Sequence, residues 1–160
     1  MRIDILTIFP EMFSNILSSS ILGRAASKGI LEFKTHNIRD FSQNKHRNTD
    51  DYPFGGGAGM VMLAQPSFDC IESVAAEAPE KPRCIVMSPR GRVLTPALAK
   101  ELASEKRLLF LAGHYEGIDE RVSELIDDEI SIGDYVLTGG ELPAMVVIDC
   151  VSRVIYSIFL

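Results

Sequence analysis

The chain has 160 residues, 46% of them hydrophobic, which is enough for one packed domain and too little for two large ones. Its net charge of −6 gives no sign of a nucleic-acid binder, and Cys70, Cys84 and Cys150 lie too far apart for a zinc motif or a disulfide framework, which fits a reducing cytosol. The first residues lack a signal-peptide layout, because Asp4 and Pro10 interrupt any apolar run, and no stretch approaches the length of a membrane span.

Ile3, Ile5, Leu6 and Ile8 give residues 2–9 the pattern of a buried strand ending at Pro10. Two short helical stretches follow, 11–18 and 20–28, the second closed by Gly29 as a C-cap. Residues 30–38 are a second strand candidate, followed by a polar loop, 39–51, and by Pro53-Phe-Gly-Gly-Gly-Ala-Gly-Met60. A helix pattern runs over 65–78 through Phe68, Ile71, Val74 and Ala75. Strand 84–88, helix 95–104 and strand 107–112 then make a βαβ unit, which predicts two parallel strands joined by a right-handed crossover.

The rest reads as a short helix over 119–126, a short strand over 129–132 and a long helix over 142–154, with Pro143 in its first turn. There is no internal repeat and no low-complexity linker. Alternating strands and helices predict an α/β fold, a mostly parallel sheet with helices on both faces.

In such a sheet, ligands gather beyond the carboxyl ends of the strands. Three loops occupy such ends: residues 87–92, 113–121 and 132–143. Gly133, Gly139 and Gly140 let the last of them bend and bring backbone groups close to a ligand, with Asp134, Tyr135 and Glu141 beside them. Together the three loops predict a pocket rim.

No Walker or Rossmann fingerprint is present. Residues 55–59 are superficially Rossmann-like but follow a polar loop rather than a strand, and a clamp loop or a plain turn fits them about equally. His114 invites an acid–base reading, yet no nucleophile motif accompanies it, and a lone histidine at a strand end is more often a surface or packing residue. Cys150 reads as core, and Asp119 as a helix cap ion-paired to Arg121. Glu116, between Gly113 and Gly117, weighs toward function. Charge is uneven: Lys34, Arg39, Lys45 and Arg47 face a single acid, Asp40, whereas eight acids crowd 116–134 against Arg121. By charge alone these are two solvated faces of opposite sign.

Several ordered segments together resemble one family. They are Ile8-Phe-Pro-Glu-Met-Phe13, Arg39-Asp-Phe41, His46-Arg47, Asp50-Asp51 with the glycine run to Met60, Gln65-Pro66, Ser88-Pro89, Gly113-His-Tyr-Glu-Gly-Ile-Asp-Glu-Arg121 and Ser131-Ile-Gly-Asp-Tyr-Val-Leu-Thr-Gly-Gly-Glu-Leu-Pro-Ala144. Over residues 2–153 the chain resembles the bacterial tRNA (guanine-N1)-methyltransferases of the SPOUT class. The resemblance implies a deep trefoil knot and a homodimer in the cytoplasm. It also implies methyl transfer from S-adenosylmethionine to N1 of the guanine 3′ of the anticodon in tRNA.

By motif match, the cofactor would be held by Met87, Ser88, Pro89, Gly113, Tyr115, Glu116, Gly117, Ile132, Gly133, Asp134, Tyr135, Val136, Leu137, Thr138, Gly139, Gly140 and Pro143. The resemblance gives Arg153 and Glu116 catalytic roles. Arg153 stabilises charge on the guanine oxygen, and Glu116 is linked to a magnesium requirement. Arg39, Lys45, His46, Arg47, Gly56 and Gly57 become RNA contacts.

In the family, the general base is an Asp in a linker beyond the knot, followed by a helical tRNA-binding domain. This sequence ends at Leu160, ahead of both, with an apolar Tyr156-Ser-Ile-Phe-Leu160. The expectation is a cofactor-binding methyltransferase domain, 1–155, and a short tail, 156–160, that binds cofactor and dimerises but methylates poorly alone. The alternative is a non-catalytic cofactor- or RNA-binding dimer that keeps the fold.

Overall fold

Strand β1 (Arg2–Thr7) turns Ile3 and Ile5 to one face and Asp4 and Leu6 to the other, all fully buried. β6 (Arg107–Leu111) beside it repeats the pattern, with Leu108 and Phe110 in one core cluster and Leu109 and Leu111 in the other. A strand buried on both faces needs a layer on each, the arrangement of a parallel α/β sheet. The structure is a computed structural model and describes residues 1–53, 56, 59–113 and 117–158.

The main sheet has the order β2-β1-β6-β5-β7, with β2 (Glu32–Asn37), β5 (Arg83–Val93) and β7 (Asp128–Ser131), and every pair in it is parallel. One core cluster packs the sheet against Phe13 and helices α2 (Ser20–Ser27), α4 (Pro96–Ala103) and α5 (Glu141–Ile158). The short helix α1 (Ser14–Ser18) lies against α2. The other cluster sets Cys70, Ile71 and Val74 of α3 (Ala64–Ala75) against Leu109 and Leu111. The predicted fold class and the parallel pairing of the βαβ strands are both present.

Several local expectations need correction. The helix predicted over 11–18 is broken into a 3-10 turn, Pro10–Met12, and α1, because Pro10 opens a tight turn and Phe13 donates back to its carbonyl. The segment predicted as a helix over 119–126 is a 3-10 turn, Glu120–Leu125. It is anchored by Asp119 N on Met62 O at one end and by Asp127 N on Cys84 O at the other. The longer rise of a 3-10 helix spans that gap with fewer residues.

β5 extends well beyond 84–88. A two-stranded hairpin, β3 (Asp50–Asp51) with β4 (Val61–Met62), was too short to leave a period in the sequence. Cys150 is half-buried rather than core. α5 continues through Ile158 with Ile155 and Tyr156 buried, so the stretch set apart as a tail begins inside a helix. Among the described residues, no helix is long and apolar enough to cross a membrane.

The buried charged side chains at the edge of this core are paired, whereas the hydroxyls of Thr49, Ser67 and Ser152 are buried without a hydrogen-bond partner among the described residues. Asp4, fully buried, accepts from Arg107 Nε at 2.9 Å, from Arg2 at 2.8 Å and meets His36 Nε2 at 2.9 Å. Arg107 also donates to the carbonyls of Val74 and Ala75, capping the end of α3. Thr7 at the end of β1 donates to Glu141 at the start of α5.

Candidate active site

The first rim loop is an excursion within β5. Met87 and Arg92 both register with Ile130 of β7, so residues 88–91 leave the ladder between them. Arg90 N donates to Ser88 Oγ at 3.2 Å inside this bulge. Gly91 returns it to β7, where a Cβ would stand 2.4 Å from the carbonyl of Glu129, so only glycine fits.

The second loop leaves β6 through Ala112, whose amide still donates to Leu6 O at 2.9 Å, and Gly113. The third starts after β7. Ser131 Oγ accepts from Gly133 N at 3.1 Å, and Gly140 N reaches Gly113 O at 2.5 Å just before α5 begins. That contact joins the third loop to the second.

The three loops enclose one cleft of about 960 Å³. Met87, Ser88, Pro89, Gly113, Gly117, Ile132, Gly133, Tyr135, Val136, Leu137, Gly139, Gly140 and Pro143 line it. Asp134 and Thr138 are exposed and do not. Tyr115 and Glu116, with His114, lie outside the described residues. Arg153 is exposed on α5 and does not line this cleft.

Sequence reasoning missed a wall. Asp119, Glu120, Asp127, Asp128 and Glu129 also line the cleft, so the acid run read as a solvated face borders the site. The run's position just after one rim loop and just before the next was the available signal. Asp119 is tied to Arg121 at 2.7 Å; the side-chain bond from Arg121, then its backbone N–H, pulls the Asp119 carboxyl down to about 2. Asp128 faces Arg83 and Arg92. Charge left on this wall favours a cationic ligand over an anionic one.

The basic segment lies elsewhere. Lys45, His46 and Arg47 are exposed and Arg39 is half-buried; Arg47 reaches Asp40 at 3.3 Å with both side chains in solvent. Gly56 is exposed, and Gly57 lies outside the described residues. Asp4, His36 and Glu77 could in spacing hold a metal ion. However, Arg2 bonds both carboxylates and Arg107 bonds Asp4, so cationic side chains already fill that role.

The family model for tRNA (Guanine-1)-methyltransferase TrmD matches residues 1–159. The chain belongs to this family. A tRNA (guanine-N(1)-)-methyltransferase of Ruminiclostridium cellulolyticum is 57% identical over 156 residues, 97% of this chain and 67% of the relative. One from Desulforamulus reducens is 60% identical over 157 residues, 97% of this chain and 62% of the relative. The chain thus spans about two thirds of the length of these curated relatives. The crystal structure of tRNA (m1G37) methyltransferase from Aquifex aeolicus superposes with a TM-score of 0.89 at 38% identity, covering 96% of this chain and 69% of that one. The similarity takes in all three rim loops, so the cleft belongs to the part of the fold shared across the family.

Proposed function

We propose that these residues form the S-adenosylmethionine-binding unit of an enzyme that methylates N1 of the guanine 3′ of the anticodon in tRNA. The observation carrying the reading is the convergence of the three family-matched loops on one cleft. The residues fit the cofactor. Gly140 sits where a Cβ would meet the backbone of Ala112 and Gly113, so its lack of a side chain lets the third loop lie directly against the second at the cleft. The acidic wall suits a sulfonium cation. When bound, the cofactor supplies an electrophilic methyl group.

The chain's own part is to bind, orient and exclude water. Met87, Ser88 and Pro89 and the backbone of 132–140 are proposed to grip the cofactor, with Tyr115 and Glu116 completing the set. Tyr135, Val136 and Leu137 offer an apolar cover at the rim. Guanine N1 is protonated at neutral pH, so transfer needs a base. The resemblance assigns that base to an Asp of a following linker and not to these residues. Arg153 is proposed as the cation facing the guanine oxygen, and Glu116 as the group tied to magnesium.

Exposed Lys45, His46 and Arg47, with Arg39, are proposed to contact tRNA phosphates, as are Gly56 and Gly57. An exposed pair such as Arg47–Asp40 contributes little and yields readily to a phosphate. A homodimer in the cytoplasm belongs to the same proposal. Its support is an apolar patch on the third loop and the start of α5, where Val136 is 85%, Leu142 51% and Val146 45% exposed. The trefoil knot also belongs to it, supported by the close passage of Gly140 over the end of β6.

Calorimetric titration with S-adenosylmethionine tests the reading, with ATP and NAD as comparisons and methyl transfer to a tRNA carrying the target guanine as a second stage. The chain is expected to bind S-adenosylmethionine alone of the three. Binding of ATP or NAD without S-adenosylmethionine would overturn the assignment.

A further inference from the structure

Ser88, Pro89 and Arg90 reach the cleft because residues 88–91 leave the β5–β7 ladder, and charged side chains of β5, β7 and α4 tie the strand down on both sides of that excursion. Arg83 precedes the excursion and Arg92 is the first residue after it. Both donate to Asp128 of β7, Arg83 from Nε at 2.7 Å and Arg92 from Nη1 at 3.1 Å. Both also donate to Glu101 of α4, Arg83 from Nη2 at 2.6 Å and Arg92 from Nη2 at 3.0 Å. Glu105 takes a further bond from Arg83 at 3.2 Å.

Two planar guanidinium forks are thus shared by two carboxylates, a geometry that an ammonium group cannot reproduce. The bonds span three elements of the site. Asp128 lines the cleft and stands on the strand that feeds the third loop, while α4, which carries Glu101, packs against α5. Gly91 marks where the excursion returns to β7, but backbone pairing puts little restraint on how residues 88–90 lie between Met87 and that point. A clasp that ties Arg83 and Arg92, one before and one after the bulge, to the same two carboxylates limits that freedom.

We propose that Arg92, Asp128 and Glu101 are positioning residues. With Arg83, on β5 ahead of the excursion, they tie the strand on both sides of 88–91 to one pair of carboxylates and so set the affinity of the cleft for the methyl donor. The inference rests on the proposed function for the identity of that ligand, but the clasp itself does not.

The test compares Arg92→Met, Arg92→Lys and the milder Glu101→Gln with the parent chain, using three readouts: S-adenosylmethionine titration, thermal midpoint, and hydrogen exchange at the amides of Ser88, Arg90 and Gly91, Pro89 having none. Arg92 and Glu101 are about half exposed, so their pairs contribute little to global stability and the midpoint is expected to stay close to the parent's. Exchange at 88–91 is expected to quicken in all three variants. Affinity is expected to fall on the order of tenfold in both Arg92 variants, the scale on which loss of an outer supporting partner weakens a bound group.

Parental exchange and parental affinity in Arg92→Met and Glu101→Gln overturn the proposal. Faster exchange with unchanged affinity overturns it too, since the clasp would then not govern binding. If the parent chain binds no S-adenosylmethionine, the functional reading fails, and the exchange rates still decide whether the clasp holds the loop.

Discussion

The amide of Gly140 donates to the carbonyl of Gly113 at 2.5 Å, and a Cβ on Gly140 would stand 2.9 Å from the Gly113 nitrogen and 3.1 Å from the Ala112 Cα. The atoms in the way are backbone at the buried end of β6, which cannot rotate aside. Gly140→Val therefore has to push the third loop off the second. Overpacking of this kind costs about 1–3 kcal/mol. A urea midpoint below the parent's and weakened S-adenosylmethionine binding are the expected results. A folded Gly140→Val chain with parental affinity would show that this junction does not shape the ligand site.

Thr7 and Glu141 make a second junction, buried under the first turn of α5. Thr7 Oγ1 donates to Glu141 Oε1 at 2.9 Å and accepts from Phe9 N at 3.0 Å. Thr7→Val keeps the shape and the strand propensity but removes both bonds, one of them to a carboxylate. Losing a buried bond of this kind costs about 1–3 kcal/mol, whereas Thr7→Ser, which retains the hydroxyl, should lose clearly less. Denaturant unfolding of the two variants side by side checks this, and equal losses would assign the effect to packing rather than to the hydrogen bonds.

The cysteines give a chemical check on burial. Burial, aided by Asp40 and Glu77, pushes the Cys70 thiol up to about 12, and burial beside Asp127 pushes Cys84 up to about 11. Thiolate is the reactive form, so at pH 7.5 both should resist a thiol-disulfide reagent while the chain is folded. Half-buried Cys150 is expected to be labelled first, and all three in denaturant. Peptide mapping after a timed exposure reads this directly, and prompt labelling of Cys84 would contradict its place in the core.

The parts of this fold legible in the sequence were those that repeat. Ile3 and Ile5, or Phe68, Ile71 and Val74, recur at the period of their element, and buried strands and helices follow from that spacing. The rim loops were legible for another reason: Gly113, Gly133 and Gly140 mark places where the backbone must turn or come close. What escaped was set by tertiary contact. The bulge at 88–91 depends on how β5 meets β7, and nothing between Met87 and Arg92 announces that both will face Ile130. Asp128 looked like one more acid in a solvated run, because its partners Arg83 and Arg92 are 45 and 36 residues away in the chain.

Acid should expose the buried ion cluster first. Burial pushes the Asp4 carboxyl up, but the bonds from His36, Arg2 and Arg107 outweigh it and hold Asp4 below the usual carboxylate range. Glu101 is drawn down to about 2, by Arg92 first and Arg83 second. A depressed native value contributes stability that is present above the unfolded value near 4 and is lost as pH falls through the native one. The window is therefore below about pH 4 for both groups.

Their weights differ. The Glu101 pairs are open to solvent and screened, whereas Asp4 is fully enclosed, and protonating it leaves Arg107 buried without its counter-charge. Urea midpoints measured from pH 7 down to pH 2.5 should fall for the parent chain and for Glu101→Gln alike. Asp4→Asn should start lower at pH 7 and run nearly flat through the acid range. A parental slope in Asp4→Asn would mean that other carboxylates carry the acid transition.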